Sequence, residues 1–342
     1  MTDHDLLLEW YARVKRDLPW RQTHDPYRIW ISEIMLQQTR VETVKDYYRR
    51  FLERFPDVAA LASAPQEDVL KLWEGLGYYS RARNLQKAAR TIMEERNGVF
   101  PSTYSDLLTL SGIGPYTAGA IASIAFGEAV PAVDGNVQRV CSRFFGIREN
   151  IAVPSVQRAL REKAALLLQG SDPGSFNQAM MELGATVCLS GNPKCALCPW
   201  AGRCDAFQEG DAQRLPVHEK KPAPKEVDMA VCLLTFEGRV AVFQRTERML
   251  HGLYVFDLLE DETQPDSVLR LLERQGFAAR SLEPLGEAKH VFTHRVWNMT
   301  IYHATLACSC DSVSFVNREE LLALPLPTAM KAAKEKALTL LG

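Results

Sequence analysis

Leu110–Val140, LSGIGPYTAGAIASIAFGEAVPAVDGNVQRV, holds two turn signals and two helix starts in one short stretch. Gly112-Ile113-Gly114 reads as a hairpin, and Pro115 sits where a helix begins, a place that suits a residue without an N–H. The two glycines permit backbone angles closed to other residues and leave amide groups uncovered. Uncovered amides at a helix start form an anion site, and phosphate is the natural occupant. The helix runs through small apolar residues from Ala118 to Phe126 and stops at Gly127. After the Pro131 loop, Asp134-Gly135-Asn136 opens a further helix. A phosphate-gripping hairpin therefore precedes a carboxylate by about twenty residues, as in an enzyme acting on nucleic acid.

The chain has 342 residues, enough for two domains. Its 46% apolar and 24% charged content is that of a soluble globular protein. No apolar run approaches the ~18 residues of a membrane span, so no membrane association is expected. The N-terminal segment carries acidic residues before an amphipathic helix, unlike a secretory signal, and a cytoplasmic protein is expected. The net charge of −2 gives no general attraction to nucleic acid. From residue 227 onward there are 12 basic and 15 acidic residues, leaving 28 and 27 for the rest. DNA contact must come from a local patch, and Arg81–Arg90, with four basic residues and no acid, is the best candidate.

In chain order, an amphipathic helix is expected over 5–17 and a long one from about Tyr27 to Phe55. On the long helix Trp30, Glu33, Ile34 and Gln37 share a face, which sets Glu33 among apolar neighbours. Shorter helices are expected at 58–62, 65–74 and 80–97, with the turn Gly75-Leu76-Gly77-Tyr78-Tyr79 between the last two. Helices at about 154–169 and 173–187 lead into the cysteines. Residues 209–227 are polar, carry three prolines and read as a linker. Beyond it the period changes to 2, with strands at 229–236, 239–245 and near 289–308 and a helix at 265–276, a small α+β domain over 228–342.

Cys188, Cys195, Cys198 and Cys204 form a C-x6-C-x2-C-x5-C run, four thiols in seventeen residues. In a cytosolic setting they suit a metal centre better than disulfides. Zinc fits four thiolates, and a [4Fe–4S] cluster tolerates uneven spacing. Cys141, Cys232, Cys308 and Cys310 are scattered and read as structural thiols.

Hairpin, Asp134 and cysteine run together resemble the helix-hairpin-helix DNA glycosylases of the endonuclease III superfamily. SEIMLQQTRVETV (32–44), WEGLGYYSRARNL (73–85), VDGNVQRV (133–140) and FNQAMMELGA (176–185) are similar to the adenine DNA glycosylase family within it. The resemblance implies a mainly α glycosylase domain over 1–208, with a [4Fe–4S] loop at 188–204, and a Nudix-like α+β domain over 228–342. It implies Glu33 as the acid at the adenine, Asp134 as the sugar-side carboxylate, and Tyr116 and Asn136 as their positioners. Arg21, Gln37, Gln38, Tyr78 and Gln178 would contact the base or the opened duplex, with Gly112 and Gly114 on a phosphate. Phe292-Thr293-His294 matches a loop that reads 8-oxoguanine, with Thr293 in place of the commoner serine. Of the acids in a nucleotide-hydrolysing Nudix box, SVLRLLERQGF (267–277) keeps only Glu273, so binding without hydrolysis is expected.

Bifunctional relatives hold a lysine where this chain has Tyr116, and a phenol cannot form an imine. The resemblance therefore implies a monofunctional enzyme. It would excise adenine opposite 8-oxoguanine or guanine, acting as a monomer on double-stranded DNA and joining the nucleoid only through DNA. Glu33 should have a raised pKa in its apolar setting, and Asp134 should stay ionised at its helix N-terminus. Taken singly, Asp134 is equally a helix cap and Glu33 a helix-surface glutamate. A glycosylase/lyase for damaged pyrimidines, a non-catalytic iron–sulfur DNA-binding protein and a Nudix hydrolase are the rival readings.

Overall fold

The computed structural model describes residues 1–219, 222–310 and 313–342. Two compact units emerge, one of Met1–Ser63 with Asn84–Lys220, the other of Ala64–Arg83 with Lys221–Gly342. Residues 64–83 thus group with the C-terminal part, although the sequence places them inside a 1–208 block.

The first unit is helical. α1 (Asp3–Val14) opens on a capping box between Thr2 and Asp5. α2 (Pro26–Leu36) starts on the Asp25 cap and Pro26, and α3 (Val41–Arg54) follows. The single helix expected from Tyr27 to Phe55 is broken at Gln37–Arg40, where Gln38 takes φ 57°. No glycine or proline marks this break, so local sequence gives no sign of it. Its effect is to turn Gln37 and Gln38 out of the helical repeat.

α4 (Val58–Ser63), α5 (Gln66–Leu72), α6 (Ser80–Glu95) and α7 (Tyr104–Leu107) lead to the hairpin. α8 (Pro115–Phe126) ends on Gly127 at φ 68°, and α9 (Gly135–Phe144) is capped by the Asp134 carboxylate accepting from Val137 N–H. α10 (Pro154–Leu168) and α11 (Pro173–Thr186) pack with α1 and α9 around a core of Leu7, Trp10, Val137, Val140, Leu160, Phe176 and Trp200. The short α12 (Asp205–Gln208) follows the cysteine loop.

Close approach explains two glycines here. A Cβ on Gly119 would stand 2.6 Å from the Pro131 carbonyl oxygen, and one on Gly184 2.5 Å from Asn136 Cβ. α8 and α11 can therefore close on the loop that carries Asp134 and Asn136.

The second unit centres on a mixed sheet. β1 (Lys225–Phe236) begins inside the expected linker, three residues before residue 228. β2 (Arg239–Gln244), β3 (Tyr254–Val255), β4 (Asp257–Glu260), β5 (Ala279–Val291), β6 (Arg295–Leu306) and β7 (Ser314–Val316) complete it in the order β3-β2-β1-β6-β5. β4 pairs with β1 and β7 with β2. β1 and β6 run parallel, Val227 opposite Trp297 and Val231 opposite Ile301, and the other pairs are antiparallel.

β1 is buried on both faces. Val227, Met229, Val231 and Leu233 meet α14 (Arg318–Ala323) and α15 (Lys331–Leu340), while Ala230, Cys232 and Leu234 meet α13 (Pro265–Arg274). A strand covered on both sides reads as a continuous apolar run, which is what MAVCLL supplies. Among the described residues no helix is long and apolar enough to cross a membrane.

Candidate active site

The break after α2, the start of α8, the start of α9 and the middle of α11 converge on one cavity of about 620 Å³ in the first unit. All four expected catalytic residues, Glu33, Tyr116, Asp134 and Asn136, line it. Arg21, Gln37, Gln38, Gln178 and Gly114 line it too, so residues from five separate stretches of chain share one cavity.

Glu33 is 4% exposed. Burial raises its pKa to about 7, and the nearby Asp134 adds to the rise. The Tyr116 hydroxyl donates a hydrogen bond to Glu33 Oε2, and this bond and the Arg21 cation both work against the rise. Burial, then the two carboxylates, push the Tyr116 phenol far above its ordinary value, so it stays a neutral donor.

Opposing influences meet at Asp134. Val137 N–H donates to Oδ1 at 2.7 Å and Asn136 Nδ2 to Oδ2 at 2.9 Å, which favours the charged form. Burial outweighs them and raises the Asp134 pKa above its ordinary value. The helix start alone does not hold it low, because its low-dielectric surroundings act on the same group.

Asn136 is backed by Arg139, whose Nη2 donates to Asn136 Oδ1 at 2.7 Å and to the Gly184 carbonyl at 2.8 Å. Arg139 Nε donates to the Cys188 carbonyl at 2.7 Å. Behind the cavity wall Glu182, fully buried, accepts from Arg16 and Arg21, with closest approaches of 2.8 and 2.7 Å. Sequence reading missed Arg16, Arg139 and Glu182. Helical spacing signals two of them, Glu182 one turn beyond Gln178 and Arg139 three residues beyond Asn136, while Arg16 lies past the end of α1 with no such signal.

Gly112 sits in the hairpin at φ 78°, and a Cβ there would lie 2.7 Å from Asn84 Cβ. Gly114 is different: it caps α8 at φ −95°, no side chain caps the helix, and a Cβ would meet nothing within 4 Å. Its small size answers to no neighbour among the described residues.

Cys188, Cys195, Cys198 and Cys204 are free thiols that line one void with Arg143, Val187 and Pro193. Arg143, buried, donates to Cys188 Sγ at 3.2 Å and to the Leu189 carbonyl at 2.8 Å. Among the described residues no three His, Cys, Asp or Glu stand close enough for a single ion. Four thiols lining one void are a donor set that suits a group held by four thiolates.

Tyr78, Phe292, Thr293 and His294 come together elsewhere, in a cavity of about 530 Å³ of the second unit. The Tyr78 hydroxyl is 2.9 Å from Thr293 Oγ1, and Phe292 packs edge-on to His290 and Trp297 at 4.5 and 4.8 Å. The basic run 81–90 divides between inward-bonded and exposed members. Arg81 is buried, donates to the Leu76 and Gly77 carbonyls, and is pulled down to about 10 by burial. Arg83 donates to the His251 carbonyl at 2.8 Å, leaving Lys87 and Arg90 as the exposed members.

Residues 31–165 match the model of the HhH-GPD superfamily base excision DNA repair proteins, and 229–336 match the NUDIX domain. The human adenine DNA glycosylase is 35% identical over 95% of this chain and 72% of its own length. The mouse protein of that name is also 35% identical, over 95% and 76%. The Arabidopsis thaliana adenine DNA glycosylase is 38% identical over 84% of this chain, which spans about half of that longer protein, 54%. A solved thermostable thymine-DNA glycosylase overlays 60% of the chain and 95% of its own with a TM-score of 0.55 at 30% identity. An endonuclease III–DNA complex shares the fold at a TM-score of 0.52 over 60% of this chain and 94% of its own, at 23% identity. Cavity, hairpin and relatives agree: the chain belongs to the adenine DNA glycosylase family, enzymes of base excision DNA repair in the HhH-GPD superfamily.

Proposed function

We propose that this protein excises adenine mispaired with 8-oxoguanine, and less readily with guanine, by hydrolysing the N-glycosidic bond without cutting the strand. The observation that carries this reading is a buried Glu33, poised near neutrality and hydrogen-bonded by Tyr116, in one cavity with Asp134. Cleaving the bond leaves an oxocarbenium-like sugar and an anionic base, so one group must give a proton and another must offset positive charge. Glu33 donates its proton to the base, the glycosidic electron pair leaves with it, and Asp134 stabilises the sugar cation until water adds and gives a proton back to the Glu33 carboxylate. Asn136, held by Arg139, keeps the Asp134 carboxylate turned toward the sugar.

The base reaches the cavity only if it leaves the duplex. Gln37, Gln38 and Tyr78 are assigned to the opened duplex, Arg21 and Gln178 to the base, and Gly112 and Gly114 to a phosphate. Phe292, Thr293 and His294 are assigned to the oxidised guanine. Cys188, Cys195, Cys198 and Cys204 would hold a [4Fe–4S] cluster, which when bound cross-links the 188–204 loop at four points. Domains of 1–208 and 228–342 about a linker remain the proposed functional division, with a monomer as the acting form.

The test is a labelled duplex carrying one adenine opposite 8-oxoguanine, analysed with and without hot alkali. Cleavage only after alkali is expected. Cleavage without it would replace this reading by a glycosylase/lyase, and no release of adenine would leave a binding protein.

A further inference from the structure

Two residues outside the cavity decide how its base-facing wall is presented. Glu182 Oε1 accepts from Arg16 N–H at 3.2 Å and Arg16 Nε at 2.8 Å, and Oε2 accepts from Arg16 Nη2 at 2.8 Å and Arg21 Nη2 at 2.7 Å. Arg21 also donates to the Arg16 carbonyl at 3.2 Å, and its guanidinium lies 5.5 Å over the Tyr11 ring. The Tyr11 hydroxyl donates to Gln178 Oε1 at 3.3 Å, while Gln178 Nε2 donates to the Gly174 carbonyl at 3.3 Å. Arg16, Arg21 and Gln178 line the cavity, and Glu182 and Tyr11 stand behind them.

A buried ion cluster is seldom the most stabilising filling for its space, so its presence here calls for a positional explanation. Burial alone would raise Glu182, yet the hydrogen bonds from Arg16 and Arg21 hold it at about 2, charged at every working pH. Gln178 and Glu182 lie one turn apart on α11, so both ends of the relay are fixed to one rigid helix. A glutamine amide is nearly symmetric in shape but opposite in hydrogen-bonding sense at its two ends. Held one way, it separates a 6-amino purine from a 6-oxo purine; free to flip, it accepts either.

We propose that Tyr11 and Glu182 are positioning residues that lock the Gln178 amide and the Arg21 guanidinium, and thereby set the preference for a 6-amino over a 6-oxo purine. This rests on the glycosylase reading above. The experiment compares single-turnover excision of adenine and hypoxanthine opposite 8-oxoguanine, using the full-length protein. Tyr11→Phe keeps the ring and loses one hydrogen bond, which predicts a roughly five-fold fall in the adenine-to-hypoxanthine rate ratio. In a Gln178→Ala background the same change should have no further effect on the ratio, because Tyr11 acts through that amide.

Glu182→Gln keeps the shape and should lower both the ratio and the maximal rate on adenine. Affinity for the duplex should stay within about three-fold, since the relay makes no phosphate contact. An unchanged ratio in Tyr11→Phe, or a full additional effect in the Gln178→Ala background, overturns the positioning role while leaving the glycosylase intact. Wild-type protein that releases neither base defeats the parent reading instead.

Discussion

A carboxyl group that must give up a proton near neutrality has to be kept from ionising early, and in the proposed mechanism that group is Glu33. Burial raises it to about 7, and the Tyr116 hydroxyl pulls back because it stabilises the charged form. Glu33→Gln should lower excision by about 10²–10⁴-fold, the usual worth of a general acid, with duplex binding kept. Near-normal turnover would remove the assignment. The sign of the pH dependence follows from the same group. In the proposed mechanism the active form is the acid, so the rate should fall above about pH 7, approaching ten-fold per unit. Tyr116→Phe deletes a donor to the carboxylate, so the alkaline fall should move to higher pH; a downward move would mean the phenol favours the acid form. In the second cavity His294 stands beside the Tyr78–Thr293 pair. His294→Ala should shrink the preference for adenine opposite 8-oxoguanine over adenine opposite guanine by roughly five- to ten-fold, about one hydrogen bond. Equal preference in variant and wild type would place that role on another residue.

At the scale of the element, the hairpin separates two glycines that look alike in sequence. Gly112 needs its left-handed φ of 78° and the space that Asn84 would otherwise deny. Gly112→Ala should cost at least about 1–2 kcal/mol from the backbone alone, read as a melting temperature lower by several degrees. Gly114 has an ordinary φ and open space around its Cα. Gly114→Ala should therefore melt like wild type yet bind duplex DNA more weakly, because the proposed phosphate would approach the α8 amides from the open side of that glycine. Unaltered affinity would move the phosphate site. Much of this was legible in the chain: Gly-Ile-Gly-Pro, the Asp134 cap and the apolar surroundings of Glu33 are local signals. The break at Gln37–Arg40 was not, since nothing in Gln-Gln-Thr-Arg forbids helix and only packing turns Gln38 to φ 57°. Nor was the Tyr11–Arg21–Glu182 relay, whose members are up to 171 residues apart and meet only through α1 packing on α11.

For the whole molecule, the two compact units cut across the order of the sequence. Residues 64–83 follow α4 directly, but their hydrogen bonds within the second unit go to distant partners. Lys71 donates to the Leu322 and Leu324 carbonyls at 2.6 and 3.0 Å, Tyr79 to the Leu326 carbonyl at 3.4 Å, and Tyr254 to Glu67 at 2.8 Å. Lys334 pairs with Glu74 at 3.2 Å. Short-range periodicity shows an amphipathic α5 but cannot tell which core receives it. A chain ending at residue 219 keeps every residue of 64–83 and loses all of these partners. Amide exchange over 64–83 should then rise by about ten-fold or more, as exposed backbone and few buried contacts predict, while α8, α9 and α11 keep their protection. The preference for 8-oxoguanine should fall with it, because the Tyr78–Thr293 pair is cut. Protection of 64–83 equal to that in the full chain would show that α5 and the Gly75–Tyr79 turn are held by the helical unit alone.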